Sequence, residues 1–282
     1  MIDKDFFTIP TEHFTIEGRS RAGHETYFRI RELGVVLDIG RCPDMAIGVP
    51  EIFITHAHLD HALGVPFYAG QRHLQRIPGG RVFVPREAAG DFRALMLLHQ
   101  KLEDTEYDVE IVGVADGEAI ALGKGHEARG HQATHRVAAR AYEFLEVRHR
   151  LRPEFAGRDD IGELRRQGTQ VAEEYRHSLL FYTGDSDRGI LESNTALFKS
   201  EVLIMECSFV SDGHQERAAR YRHMHFDDIA EFADRFENRL IVLTHFSRRY
   251  SRADIRDEIR RRCPAVIRER LRLALPEPFQ QL

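Results

Sequence analysis

Thr55-His56-Ala57-His58-Leu59-Asp60-His61 places three imidazoles and one carboxylate within six consecutive positions, His56 to His61. Just before it, Glu51-Ile52-Phe53-Ile54 is a brief apolar, β-branched and aromatic run that reads as a short buried strand. Just after it, Ala62 to Ala69 reads as the start of a helix. The H-x-H-x-D-H string therefore lies on a strand-to-helix loop. Alternate residues of an extended segment share a face, so His56 and His58 point the same way. Asp60 and His61 lie past the bend and are free to face a second point. Imidazole and carboxylate are zinc donors, and two such pairs suit two adjacent metals. The chain has 16 His, yet chance rarely gathers them at this spacing on a strand exit.

Four residues on one loop cannot close two metal sites, so partners must come from elsewhere. Asp185 ends the apolar run Leu180-Phe181-Tyr182-Thr183-Gly184-Asp185, and His245 ends Leu240-Ile241-Val242-Leu243-Thr244-His245. His135 is the third candidate. Ligands at strand ends, gathered on one rim, are how an α/β scaffold builds a site. Strands alternating with helices give an α/β chain with a ligand-lined edge.

Composition bounds the rest. At 282 residues the chain can bury a large core, and no linker, repeat or low-complexity segment divides it. A net charge of -5 excludes a globally basic nucleic-acid binder but not a local patch. Arg outnumbers Lys 36 to 4, with the excess spread along the whole chain. The Arg252, Arg256, Arg260 stripe is interleaved with Asp254, Asp257 and Glu258 and reads as a solvated face. Cys42, Cys207 and Cys263 are scattered without a C-x-x-C pair, which fits a reducing compartment. The start, Met1-Ile2-Asp3-Lys4-Asp5, lacks an apolar signal region, and no apolar run approaches the roughly 20 residues of a membrane span. A cytoplasmic protein without a membrane partner is expected.

The periodicity predicts a hairpin at 26–31 and 34–39, and strands at 82–84, 109–114, 120–122 and 137–147. A helix is predicted at 85–102, with Ala89, Phe92, Leu95, Met96, His99 and Leu102 on one stripe and His99 a core or rim residue. The polar stretch 148–177 reads as an insertion or lid with a helix from Ile161 to Tyr175. A capped helix begins at Asp228, and Ser251 to Arg262 is a closing helix.

At this point the chain resembles the metallo-β-lactamase superfamily, in its ribonuclease Z-like branch. The carriers are His56-x-His58-x-Asp60-His61, His135 with Ala141-Tyr142 after it, Tyr182-Thr183-Gly184-Asp185, Met205-Glu206-Cys207-Ser208-Phe209, His223, and Leu243-Thr244-His245-Phe246-Ser247-Arg248-Arg249-Tyr250. They span roughly residue 12 to residue 251. The H-x-H-x-D-H string marks only the superfamily; Glu206, His223 and Thr-His-Phe-Ser point to the branch. The resemblance implies an αββα sandwich, a single domain over 1–282, with the metal site at one edge of the sheets.

It also implies roles. His56, His58 and His135 would hold one zinc; Asp60, His61 and His245 the other; Asp185 would bridge them. Manganese and iron are alternatives to zinc. The metals would activate a water for attack on phosphorus, with Asp60 accepting its proton. His223 would be the general acid and Glu206 the carboxylate that orients it. Two choices stay open: His131 against His135, and His225 against His223. Arg222, Met224 and His225 around His223 depart from the family's usual neighbours. Asp38 and Thr183 are expected to support ligand loops.

The implied activity is a zinc phosphodiesterase acting on RNA, such as a transfer RNA precursor. The alternatives are hydrolysis of a small phosphodiester such as a cyclic nucleotide, a thioesterase-like activity, and a non-catalytic subunit. A homodimer is left open. The catalytic parts match the family better than the substrate-gripping parts: 148–177 holds no Gly-Pro pair, and 17–23 departs from the family's glycine-rich start. Weak precursor processing is therefore expected.

Overall fold

Local propensity resolves into two seven-stranded sheets in a computed structural model that describes residues 5–282. The start from Met1 to Lys4, weighed above, lies outside the described residues. The first sheet contains β1 (Phe7–Pro10), β2 (Thr15–Arg21), β3 (Glu25–Ile30), β4 (Val35–Leu37), β5 (Glu51–Phe53), β6 (Arg81–Pro85) and β7 (Glu110–Val114). The second contains β8 (Ala119–Gly123), β9 (His126–Gln132), β10 (Arg140–Leu151), β11 (Ala172–Tyr182), β12 (Val202–Glu206), β13 (Leu240–Thr244) and β14 (Leu271–Leu273). In each sheet the spatial order follows the chain order. Strands β1 to β4 and β8 to β11 pair antiparallel; β4 to β7 and β11 to β14 pair parallel.

Side chains alternate faces along each strand, and the apolar ones divide accordingly. Phe53, Phe83, Tyr142, Ile204 and Val242 fill the layer between the sheets. Phe53 stacks on Phe83 at 4.5 Å and meets Tyr142 edge-on at 5.0 Å. Their neighbours Ile52 and Val82 face outward under the helices Val65–Leu74 and Ala89–Glu103. Leu203 and Leu243 face the opposite way, under Phe226–Glu231 and Arg252–Arg262. This is the expected αββα sandwich. Strands β4, β5, β11, β12 and β13 all end at one edge, where the next residues are Asp38, the 54–61 loop, Thr183 to Asp185, Cys207 and His245.

Two expectations are corrected. Only Ile161–Arg166 is helical; Ala172 to Tyr182 is strand, because it finds a partner in β10. Cross-strand pairs such as Arg150 with Glu173, at 2.7 Å, favour that register over a polar helix. Segment 148–177 is thus built mainly on a two-stranded hairpin. Pairing of β9 with β10 stops at Glu146, and β12 joins β11 only at Leu180 to Tyr182. The stretches 147–151 and 172–176 therefore stand clear of the sheet as a two-stranded arm, leaving it at the edge opposite the candidate ligands. On the Ala89–Glu103 helix, Ala89, Phe92 and Met96 are buried, but Leu95 and Leu102 are exposed. Leu95, with Leu63, Phe67 and Leu74, borders a groove of about 790 Å³ that His99 also lines. Among the described residues, no helix is long and apolar enough to cross a membrane.

Candidate metal centre

The sheet edge draws distant residues into two donor sets. His56, His58, His135 and Asp185 offer ligand atoms within 4.8 Å of one another, and so do Asp60, His61 and His245. Asp185 joins the sets. Its Oδ2 lies 3.7 Å from His56 Nε2 and 3.4 Å from His245 Nε2, and its Oδ1 lies 3.4 Å from His61 Nε2.

Hydrogen bonds fix which imidazole nitrogen faces inward. The outward Nδ1 of His61 donates to Asp38 at 2.7 Å, that of His135 to the Arg222 carbonyl at 3.0 Å, that of His56 to Thr55 Oγ at 3.0 Å, and that of His245 to Ser208 Oγ at 3.0 Å. A neutral imidazole carries one N–H, so the inward Nε2 of His56 and His135 is a bare lone pair, while Asp185 and Asp38 outweigh burial and push His61 well above the usual histidine range. The inward nitrogens converge: His56 Nε2 is 2.9 Å and His135 Nε2 3.3 Å from His58 Nδ1, and His61 Nε2 is 3.3 Å from His245 Nε2. Nitrogen and carboxylate donors gathered this closely, most of the rings held by a partner on the far side, fit metal ions. Burial, reinforced by neighbouring imidazoles, holds His56 and His58 below the usual histidine range, and burial does the same for His135. Neutral imidazole is the ligating form. Burial would raise Asp185, but His245 and His61 outweigh it and hold the carboxylate well below its usual value. Asp60 is likewise lowered against burial, chiefly by the hydrogen bond from His245.

The supports carry local strain. Asp38 is buried with φ of 51° and accepts from Thr55 N at 2.7 Å and Tyr182 Oη at 2.6 Å besides His61. His245 has φ of 59°, and its N–H donates to Ser20 Oγ at 2.9 Å. Non-glycine residues in this region cost about 1–3 kcal/mol and persist where surrounding bonds over-determine them. Gly184 has φ of 60°, and a Cβ there would sit 2.6 Å from Thr55 Cβ.

A second device adjoins the donor sets. Glu206, 1% exposed, accepts from His223 Nδ1 at 2.8 Å, Ser186 N at 2.8 Å and Ser208 Oγ at 2.6 Å. Burial depresses His223, but the charge and hydrogen bond of Glu206 prevail and raise it to about 9. His225 is spent elsewhere. It N-caps Phe226–Glu231, accepting from Asp227 N at 3.1 Å while its Nε2 donates to the Ser211 carbonyl at 3.0 Å. That cap, with Asp228 as its third residue, corrects the helix start placed at Asp228. His131 points away from the site, bonded to Glu143 at 3.0 Å and packed on Phe181. Thr183 lies behind Glu206, whose N–H donates to its Oγ at 3.4 Å. Sequence reading missed Ser208, Ser20 and Tyr182 as supports, and Gly23, whose N–H donates to Asp60 Oδ2 at 2.7 Å.

This fold and paired donor set define a metal-dependent hydrolase, and known proteins agree. Residues 45–246 match the family described as Beta-lactamase superfamily domain, and the chain belongs to the metallo-β-lactamase superfamily. Over 253 residues it is 32% identical to tRNase Z TRZ1 of Arabidopsis thaliana, covering 88% of this chain and 90% of that protein. It is also 32% identical to the chloroplastic tRNase Z TRZ2 of the same plant, covering 89% of this chain and 72% of that one. Within the superfamily, its place is the ribonuclease Z-like branch. The short-form human tRNase Z shares the fold at TM-score 0.56 and 18% identity, covering 95% of this chain and 92% of that one. The metallo-β-lactamase fold protein YhfI of Bacillus subtilis does so at TM-score 0.62 and 12% identity, covering 91% and 93%.

Proposed function

We propose that the chain acts as a single metallo-β-lactamase-fold unit, an endoribonuclease that removes 3′ extensions from transfer RNA precursors using two zinc ions. The observation that carries this reading is a buried Glu206–His223 pair set beside two donor sets that share Asp185. Hydrolysis of a phosphodiester with an alkoxide leaving group needs both cations and a proton donor; a thioester needs no such donor. The names of the Arabidopsis relatives support RNA as substrate.

His56, His58, His135 and Asp185 would hold one ion, and Asp60, His61, His245 and Asp185 the other. When bound, such a pair lowers the pKa of a water and neutralises phosphoryl charge. The chain supplies the proton traffic. Asp60 Oδ2, held by Gly23 N–H, accepts the proton of the attacking water. His223 gives the Nε2 proton to the leaving oxygen while its Nδ1–H stays on Glu206. Ser208 ties Glu206 to His245, so the acid and the donor sets keep one geometry.

A homodimer through the exposed apolar groove on the Val65–Leu74 and Ala89–Glu103 helices belongs to the same proposal. Leu63, Phe67, Leu74 and Leu95 form a patch ringed by Gln71, Asp91 and Glu103, the apolar centre and polar rim of a two-fold contact. Sedimentation should give twice the chain mass, and Phe67→Glu should give the monomer. Three unpaired, buried cysteines support a cytoplasmic setting.

The deciding experiment incubates zinc-loaded protein with a precursor carrying a 3′ trailer, a cyclic nucleotide and a thioester. Trailer release with a 3′-hydroxyl on the body is expected. Hydrolysis of the cyclic nucleotide or thioester without precursor cleavage would reject the reading. The expectation of weak processing rested on the missing Gly-Pro pair in 148–177 and on the departure at 17–23; the β10–β11 hairpin gives that segment a protruding form, and the measured rate decides.

A further inference from the structure

The arm does not put charge near the scissile phosphate. Residues 146–177 contain seven Arg and seven Asp or Glu, a balanced set. The arm also stands at the far end of β11, whose 11 residues span about 35 Å. The candidate ligands lie at the other end. Local grip on a polyanion must come from the rim of the metal site itself.

Most arginines here meet a carboxylate or a carbonyl: Arg150 meets Glu173, Arg140 meets Glu87, Arg270 meets Phe236 O. Among the described residues, Arg136, Arg217 and Arg220 have no such partner, a condition they share with Arg31, Arg76, Arg165, Arg248, Arg249 and Arg260; what sets Arg217 and Arg220 apart is the aromatic ring they share. Arg136 is exposed and adjoins His135. Arg217 and Arg220 lie on the helix Gln215–Tyr221, and both guanidinium groups pack on the Tyr221 ring, at 5.3 and 5.8 Å from its centroid.

The helix is tied to the chemistry at both ends. At its C-terminus Arg222 takes φ of 58°, and His223 N–H bonds back to the Ala218 carbonyl at 3.0 Å. The Arg222 carbonyl accepts from His135 Nδ1, and its guanidinium bonds Asp187 at 2.9 Å. At its N-terminus His214 bonds Tyr250, five residues past His245. Tyr221 therefore stands two residues before the proposed proton donor, His223, at the end of the helix tied to it.

We infer that Arg217, Arg220 and Tyr221 form a nucleotide platform. Tyr221 and its stacked guanidinium groups hold the base of the nucleoside that carries the leaving oxygen, and the arginines hold the flanking phosphates. Planar stacking surfaces next to unpaired cations are what single-stranded RNA uses. The inference rests on the reading of the substrate as RNA.

The test compares wild-type, Tyr221→Ala, Tyr221→Phe, Arg217→Ala/Arg220→Ala and, as control, the arm variant Arg165→Ala. The substrates are a trailer-bearing precursor and the same RNA made abasic at the nucleoside bearing the leaving oxygen. Tyr221→Ala should raise KM about 10-fold, within the range of one base–aromatic stack, with kcat and zinc content held and Tyr221→Phe restoring KM. The abasic substitution should cost wild-type a similar factor and Tyr221→Ala nothing more. The double arginine variant should flatten the slope of log kcat/KM against log salt by about 1.4, two contacts at roughly 0.7 each. Wild-type KM and salt slope in these variants, with RNA still cleaved, would overturn the platform and leave the endonuclease reading intact. No RNA cleavage by wild-type protein would overturn the endonuclease reading, and the platform with it.

Discussion

Glu206→Gln separates proton supply from everything else at the site. The amide is isosteric: its oxygen can still accept from Ser186 N–H and His223 Nδ1–H, and its NH₂ can donate to Ser208 Oγ. What disappears is the charge that holds His223 at about 9 against a usual 6.5. That gap corresponds to roughly 3 kcal/mol of preference for imidazolium. Without it, burial leaves His223 at or below 6.5. At pH 8 the protonated fraction then falls from about 90% to about 3%, a loss of roughly 30-fold in available acid. Toward pH 6 both forms gain the proton, so the deficit should shrink. Cations in the donor sets lower both values together and move the window down in pH without closing it. The assay is kcat against pH on an RNA, whose leaving group is an alkoxide, and on bis-p-nitrophenyl phosphate, whose nitrophenolate leaves unprotonated. A deficit that is the same at both pH values, or the same on both substrates, would refute the acid role and recast Glu206 as a structural residue.

Other perturbations address the remaining parts. Asp185→Ala removes the carboxylate shared by both donor sets and should take zinc from about two equivalents per chain to below one and abolish hydrolysis; metal analysis with full occupancy and activity would refute the bridge. Asp38→Ala frees His61 Nδ1 and Thr55 and should weaken metal affinity about 10–100-fold, the usual cost of losing a partner behind a ligand, read by competition with a chelator. His225→Ala should cost about 1 kcal/mol of stability as a lost N-cap and leave kcat on RNA unchanged; a collapse of kcat at normal Tm would put the acid on His225. In metal-free protein, NMR should find His223 titrating near 9. Since that pKa is raised on folding, its stabilising contribution is full below 6.5 and is lost as pH rises through about 9.

All the ligands but His135 were legible because they sit at or just past the end of strands that sequence patterning already marks; His135, in the loop after the polar β9, was singled out by the resemblance. Ile52 and Phe53, Leu180 and Phe181, and Leu243 are apolar runs, and the first polar residue beyond each is where a buried sheet meets the rim. β1, β2, β9 and β14 were not anticipated. β9, His126 to Gln132, is polar or small at nearly every position and is strand only because β8 and β10 flank it. The arm misled for the same reason. Arg165 and Arg166 read as helix, and they are helical, but Glu173 to Arg176 owes its strand to a partner 20 or more residues away, which no local window can see.

The supports escaped the sequence for a different reason. A serine or tyrosine beside a metal site has no spacing of its own; its role exists only once the sheets are packed. Tyr182 belongs to the layer between the sheets, yet its hydroxyl bonds Asp38, and Tyr142 reaches from the same layer to the Ile54 carbonyl at 3.0 Å. The core therefore ends in hydroxyl groups that brace the ligand loop. Asp38 and His245, both at positive φ, are held by bonds from three different strands or loops. Loosening the inter-sheet packing would thus relax the imidazole geometry before it unfolded the chain. This is why residues 189 positions apart, His56 and His245, can both reach Asp185 Oδ2, at 3.7 and 3.4 Å.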